Sequence, residues 1–169
     1  MKKNLALTGM MGVGKSAIGK VLSKKLHMKF VDIDKIIENK LKMTIPEIFK
    51  KKGELFFRKF EEEITLKIIT ETNTVISLGG GAFINSKIRR SILSNNISFW
   101  LDLNVDLLEQ RLLKSKMRPL LTNKNLKETL EKIYDERKST YAMANFRINC
   151  DKSNINLTSN KIIKLYASN

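Results

Sequence analysis

At 169 residues the chain is long enough for one domain with a packed core and short for two, and we expect one domain over residues 1–169. A single cysteine, Cys150, excludes an internal disulfide framework, and no apolar run is long enough to span a bilayer, so a cytoplasmic enzyme with no membrane partner is expected. The net charge of +15 admits a nucleic-acid surface, but the lysines (Lys24-Lys25, Lys40, Lys42, Lys50-Lys51-Lys52, Lys124, Lys161) are scattered without a stripe or an aromatic stacking ladder. We therefore read the charge as solvated lysine and expect no nucleic-acid partner.

Apolar runs of strand length alternate with longer helical patterns: Leu5–Thr8, Phe30–Ile33, Thr74–Leu78, Ile97–Leu103 and Phe146–Cys150. That alternation predicts parallel βαβ units in a three-layer α/β domain. Between the first run and an amphipathic helix lies Gly9-Met10-Met11-Gly12-Val13-Gly14-Lys15-Ser16, which fits G-x-x-x-x-G-K-[ST] at every fixed position. Glycines let backbone N–H groups converge on phosphate oxygens, and the following helix adds its positive dipole end. Lys15 can then reach the β- and γ-phosphates, and the Ser16 hydroxyl can bind Mg²⁺. Nucleotide binding is the expectation.

The first helix ends near Leu26-His27, and His27, the one histidine, is expected at that helix end without a catalytic role. In Lys29-Phe30-Val31-Asp32-Ile33-Asp34 the two carboxylates alternate, so on a strand they point to one side at its carboxyl end. They can serve Mg²⁺ and a substrate hydroxyl, or they can be a solvated strand exit or a helix N-cap. Thr44-Ile45-Pro46-Glu47 reads as a helix start. Gly53 to Glu61 then opens a long helix towards Ile69 that carries Arg58 beside Phe49 and Phe57. Arg58 fits a carboxylate fork in an apolar wall, and equally a surface pair with Glu61 three residues on.

The third strand ends in Ser77-Leu78-Gly79-Gly80-Gly81, where a ligand can lie on bare backbone. No Walker B Asp precedes these glycines, which leaves Asp32 as the carboxylate for the metal side. After the fourth strand and the helix bearing Arg111, the segment Lys114–Asn125 is polar and basic and holds Arg118 extended before Pro119. It fits a lid that carries an arginine to the phosphates, or a plain charged loop. A further helix holds Tyr134 to Tyr141 with Arg137, and the loop Asn149 to Asn154 follows the last strand where it could meet adenine.

Taken together, the chain resembles the shikimate kinases over nearly its whole length. The specific signals are the phosphate loop, Asp32-x-Asp34, Gly53-Glu54-x-x-Phe57-Arg58-x-x-Glu61, Gly79-Gly80-Gly81 and Arg118-Pro119-Leu120-Leu121. The resemblance implies a P-loop kinase fold with five parallel strands in the order 2-3-1-4-5, a substrate-binding region at about 33–61 and a lid at about 114–125. It implies ATP-dependent phosphorylation of the 3-hydroxyl of shikimate, on the route to chorismate and aromatic amino acids, by a monomer using Mg²⁺. Lys15, Asp34 and Arg118 would be catalytic. Gly12, Val13, Gly14, Lys15, Ser16, Ala17, Arg111, Arg118 and Ser153 would hold ATP. Asp34, Arg58, Gly79, Gly80, Gly81 and Arg137 would hold shikimate, while Ser16, with Asp32 through water, would hold Mg²⁺. Ala17, Ser139, Met143 and Ser153 depart from residues frequent in the family. A gluconate-type kinase would share the phosphate loop but does not account for Arg58, the triple glycine and Arg118 together. A nucleic-acid-binding P-loop protein is the second rival, and a kinase-like protein that binds ATP without transfer is the third.

Overall fold

The computed structural model describes residues 3–114 and 125–169. Five strands form one parallel sheet: β1 (Asn4–Thr8), β2 (Lys29–Asp32), β3 (Thr74–Ser77), β4 (Asn96–Asp102) and β5 (Phe146–Asn149). Their order is β2-β3-β1-β4-β5, with every neighbouring pair parallel. The expected order therefore holds. The three inner strands are buried along their whole length, which is why they read as near-continuous apolar runs rather than alternating ones. Leu5, Leu7, Ile76, Phe99 and Leu101 form the middle of the core.

The helices are α1 (Lys15–Leu26), α2 (Ile33–Leu41), α3 (Ile45–Ile69), α4 (Ser86–Asn95), α5 (Val105–Lys114), α6 (Leu126–Tyr141) and α7 (Ile155–Ala167). α1 packs with α7, and α3 packs with α4 and α2. Right-handed crossovers put α1 on one face of the sheet and α3 with α4 on the other. The chain leaves β1 towards β2 on one side of the sheet and later crosses to β4 on the other. β1 is thus a topological switch point, and its carboxyl end opens a crevice.

Local signals explain where several elements begin. The Thr44 hydroxyl accepts from the Glu47 amide at 3.4 Å, and Glu47 accepts in return from the Thr44 amide at 2.8 Å, so the predicted capping box is formed. Within α3, Gly53 breaks the helical path with φ 83° and ψ 166°, so the segment carrying Arg58 starts afresh after a kink. His27 caps α1 in the left-handed region, at φ 53°. One expectation needs correction. β2 ends at Asp32, one residue before the expected strand end, because the Asp32 side chain accepts from the Lys35 amide at 3.3 Å and starts α2 at Ile33. Asp34 therefore sits in the first turn of a helix, not on the strand beside Asp32. Among the described residues no helix is long and apolar enough to cross a membrane.

Candidate active site

The loop between β1 and α1 takes the backbone path that its glycines allow. Gly9, Gly12 and Gly14 have φ of 132°, 78° and 104°, and Gly14 is the N-cap of α1. A side chain would be strained at all three positions. The loop thereby turns the first N–H groups of α1 towards the crevice. Lys15 is buried, and its Nζ donates to the carbonyls of Gly9 at 2.8 Å and Met10 at 2.9 Å, which holds the ammonium over the loop. Ala17 is exposed in the first turn of α1.

The two aspartates part company. Asp32 accepts a hydrogen bond from the Ser16 hydroxyl, joining the carboxyl end of β2 to the start of α1. Asp34 faces the glycine segment: a Cβ placed on Gly79 would stand 2.7 Å from its Oδ1 and would also collide with Glu61. One carboxylate thus belongs to the phosphate loop and the other to the triple glycine.

Gly79-Gly80-Gly81 organises the remainder. At Gly80, an added Cβ would meet the Met11 amide nitrogen at 3.3 Å, so this residue touches the phosphate loop. Its carbonyl accepts from Arg137 Nη1 at 3.2 Å and from the Tyr141 hydroxyl. At Gly81, the guanidinium of Arg58 lies against the bare Cα, with Nη1 2.6 Å from where a Cβ would stand. Arg58 is held in turn by Glu61 at 2.9 Å and Glu54 at 3.2 Å, above the ring of Phe57 at 5.1 Å. Phe49 and Phe57 form the apolar wall beside Arg58. The pair with Glu61 exists, but Glu61 is only 2% exposed, so it is an anchor rather than a surface ion pair.

The electrostatics follow from this crowding. Burial pushes the Glu61 carboxyl up, Asp34 adds to the rise, and Arg58 opposes it. Glu61 Oε1 has no hydrogen-bond partner among the described residues. For Arg58, burial works against the charge, but Glu61 and Glu54 outweigh it and the net shift is upward. Burial also raises the Tyr141 phenol, so its hydroxyl remains a donor.

A cleft of about 610 Å³ opens beside the phosphate loop, lined by Val13, Gly14, Arg111, Cys150, Ser153 and Asn154 among others. Arg111 Nη1 donates to the Val13 carbonyl at 3.1 Å, and the Ser153 and Thr158 hydroxyls share a hydrogen bond of 2.8 Å. Burial pushes the Cys150 thiol up to about 11, which keeps it uncharged. The structure brings Arg111 together with Cys150, Ser153 and Asn154 of the Asn149–Asn154 loop at this cleft. The sequence gives no role to the Tyr141 hydroxyl, although Tyr141 lies one helical turn after Arg137. Arg118 lies outside the described residues.

Mg²⁺ prefers hard oxygen ligands and keeps several waters. The hydroxyl of Ser16 and the carboxylate of Asp32 meet at the mouth of the phosphate loop, so this donor pair fits such an ion.

The model of the family described as "Shikimate kinase" matches residues 11–167. A shikimate kinase of Bartonella henselae is 42% identical over 160 residues, covering 95% of this chain and 76% of that protein. One from a Sulfurihydrogenibium species is 43% identical over 150 residues, covering 89% of each. The solved shikimate kinase of Acinetobacter baumannii in complex with shikimate superposes with a TM-score of 0.93 at 32% identity, covering 99% of this chain and 94% of that one.

Proposed function

Since the chain belongs to the shikimate kinase family, we propose that its crevice runs the family reaction with the residues assembled around Gly79–Gly81. The protein is a kinase that phosphorylates shikimate with ATP. The observation that supports the detailed reading best is that Gly80 touches the phosphate loop while its neighbours carry Asp34 and Arg58 and its own carbonyl receives Arg137. An anionic, hydroxyl-rich acceptor is thereby offered two guanidinium groups and one carboxylate next to the site of the transferring phosphate.

In this reading Arg58 and Arg137 take the shikimate carboxylate through charge-assisted hydrogen bonds, and Arg137 exchanges part of its contact with the Gly80 carbonyl for the ligand. Asp34 orients the 3-hydroxyl and accepts its proton as the oxygen attacks. The phosphate loop receives the polyphosphate of ATP, and Lys15 leaves the Gly9 and Met10 carbonyls to meet it. The cleft lined by Arg111, Cys150 and Ser153 takes the adenine end. Ser16, with Asp32 through water, would hold Mg²⁺, which neutralises phosphate charge when bound. Arg118 is assigned to the transferring phosphate on the family resemblance alone. Positioning and charge neutralisation supply most of the catalysis, because a loose phosphoryl transition state needs little covalent help.

A coupled assay of ADP release with shikimate, with gluconate and with no acceptor tests the acceptor assignment. Release that depends on shikimate is expected. Equal release with gluconate would overturn it.

A further inference from the structure

Away from the reacting groups, three side chains meet at the carboxyl end of β4. Asp102 has a side chain only 6% exposed. One oxygen, Oδ2, accepts from Arg147 Nε at 2.8 Å and Nη2 at 2.6 Å; the other, Oδ1, accepts from the Tyr134 hydroxyl at 3.0 Å. Arg147 thus holds the buried carboxylate through two N–H groups, and it is itself laid over the Trp100 ring at 4.8 Å. Oδ1 is left as a strong acceptor directed at α6.

Tyr134, Arg137 and Tyr141 are spaced i, i+3 and i+7 along α6, so they share one face. Tyr134 is bound to β4, and Tyr141 to the Gly80 carbonyl beyond β3. Arg137 lies between these two hydroxyl attachments, and its guanidinium reaches the same Gly80 carbonyl at 3.2 Å. By contrast, the Lys127–Asp106 pair that also ties α6 is half exposed on both sides and fixes little. Burial and the Asp102 carboxylate both raise the Tyr134 phenol, so it stays a donor.

We propose that Tyr134, held by the Arg147-paired carboxylate of Asp102, is a positioning residue that aims Arg137 into the acceptor pocket and so sets the affinity for shikimate. This rests on the reading that Arg137 binds the acceptor carboxylate. With the hydroxyl gone, α6 keeps its apolar contacts through Leu126 and Leu130 but loses its attachment one turn before Arg137. The helix can then shift against β4, and the guanidinium moves away from the geometry that a paired carboxylate needs.

The test is a double-mutant cycle of Tyr134→Phe and Arg137→Ala, reading kcat, KM for shikimate, KM for ATP and the thermal midpoint. Tyr134→Phe removes one oxygen from a half-buried ring and should give a folded enzyme. Its KM for shikimate should rise about 3- to 30-fold while KM for ATP stays unchanged. On the Arg137→Ala background, the same substitution should add less than about 2-fold, because the group it aims is gone. An unchanged KM for shikimate in Tyr134→Phe, whatever its thermal midpoint, would overturn the inference, as would a full effect persisting without Arg137. If Arg137→Ala alone left KM for shikimate unchanged, the assignment of Arg137 would fail first, and that single variant reports it separately.

Discussion

Gly81→Ala is the substitution that separates the fold from the proposed acceptor pocket. Gly81 has φ −103° and ψ −10°, a conformation open to any L-residue, so alanine brings no backbone strain. What it brings is a methyl carbon 2.6 Å from Arg58 Nη1, 2.9 Å from Cζ and 3.0 Å from Nη2. The first of these lies 0.8 Å inside the 3.4 Å at which ordinary contact begins. Something has to move, and the guanidinium is the loose end of a long side chain, whereas Gly81 is tied to Ile84 through its carbonyl. The loss of stability should therefore stay below about 1 kcal/mol, the lower edge for overpacking. The functional cost is larger. A guanidinium displaced by close to 1 Å no longer presents its fork to a carboxylate, and misplacement on that scale costs about 10²-fold. Steady-state ADP release should show kcat/KM for shikimate falling by about that factor, mostly in KM, with KM for ATP unchanged. A well-folded Gly81→Ala enzyme with normal KM for shikimate would refute the reasoning, since Arg58 would then be either elsewhere or unneeded.

The two aspartates have separate partners and should fail separately. Asp34→Asn should lower kcat by about 10²–10⁴ with Mg-ATP affinity nearly intact, whereas Asp32→Asn should shift the Mg²⁺ titration to higher concentration; rescue of Asp34→Asn by added Mg²⁺ would show the roles to be reversed. Glu61 gives a pH signature. Its carboxyl is raised above the ordinary 4.5 by burial and by Asp34, against Arg58. The folded state therefore holds this proton more tightly than the unfolded one, and the associated stability is present below 4.5 and lost as pH rises through the folded value. Denaturant unfolding should show wild type losing ground to Glu61→Gln as pH climbs from 4.5; a difference flat with pH would contradict the burial argument.

How far the sequence could be read depended on whether a residue's role is set by its neighbours in the chain. The phosphate loop was legible because its glycines answer a backbone demand, visible as φ of 78° at Gly12 and 104° at Gly14. The Thr44–Glu47 capping box was legible for the same local reason. For Asp32 and Asp34 the helix N-cap alternative holds and the strand reading fails, because alternation cannot tell a strand from a helix whose N-cap is the first member of the pair. Asp32 accepts from Lys35 and ends the strand, and no periodicity argument contains that bond.

The triple glycine shows a subtler limit. Bare backbone at a strand's end signals close approach, and close approach is what the structure has. At Gly79 and Gly81, however, the approaching atoms belong to Asp34, Glu61 and Arg58, side chains from 18 to 45 residues upstream. The glycines admit the protein's own side chains, among them the two that we assign to the acceptor, Asp34 and Arg58, and Gly80 brings this segment against the phosphate loop. Tyr134 and Tyr141 were invisible for the same reason: their partners are 32 and 61 residues away in the chain. A tyrosine hydroxyl carries no mark of its acceptor. Only the packing of α6 across the end of the sheet makes Asp102 the acceptor for one of these hydroxyls and Gly80 for the other, and so makes the helix a fixed mount for Arg137.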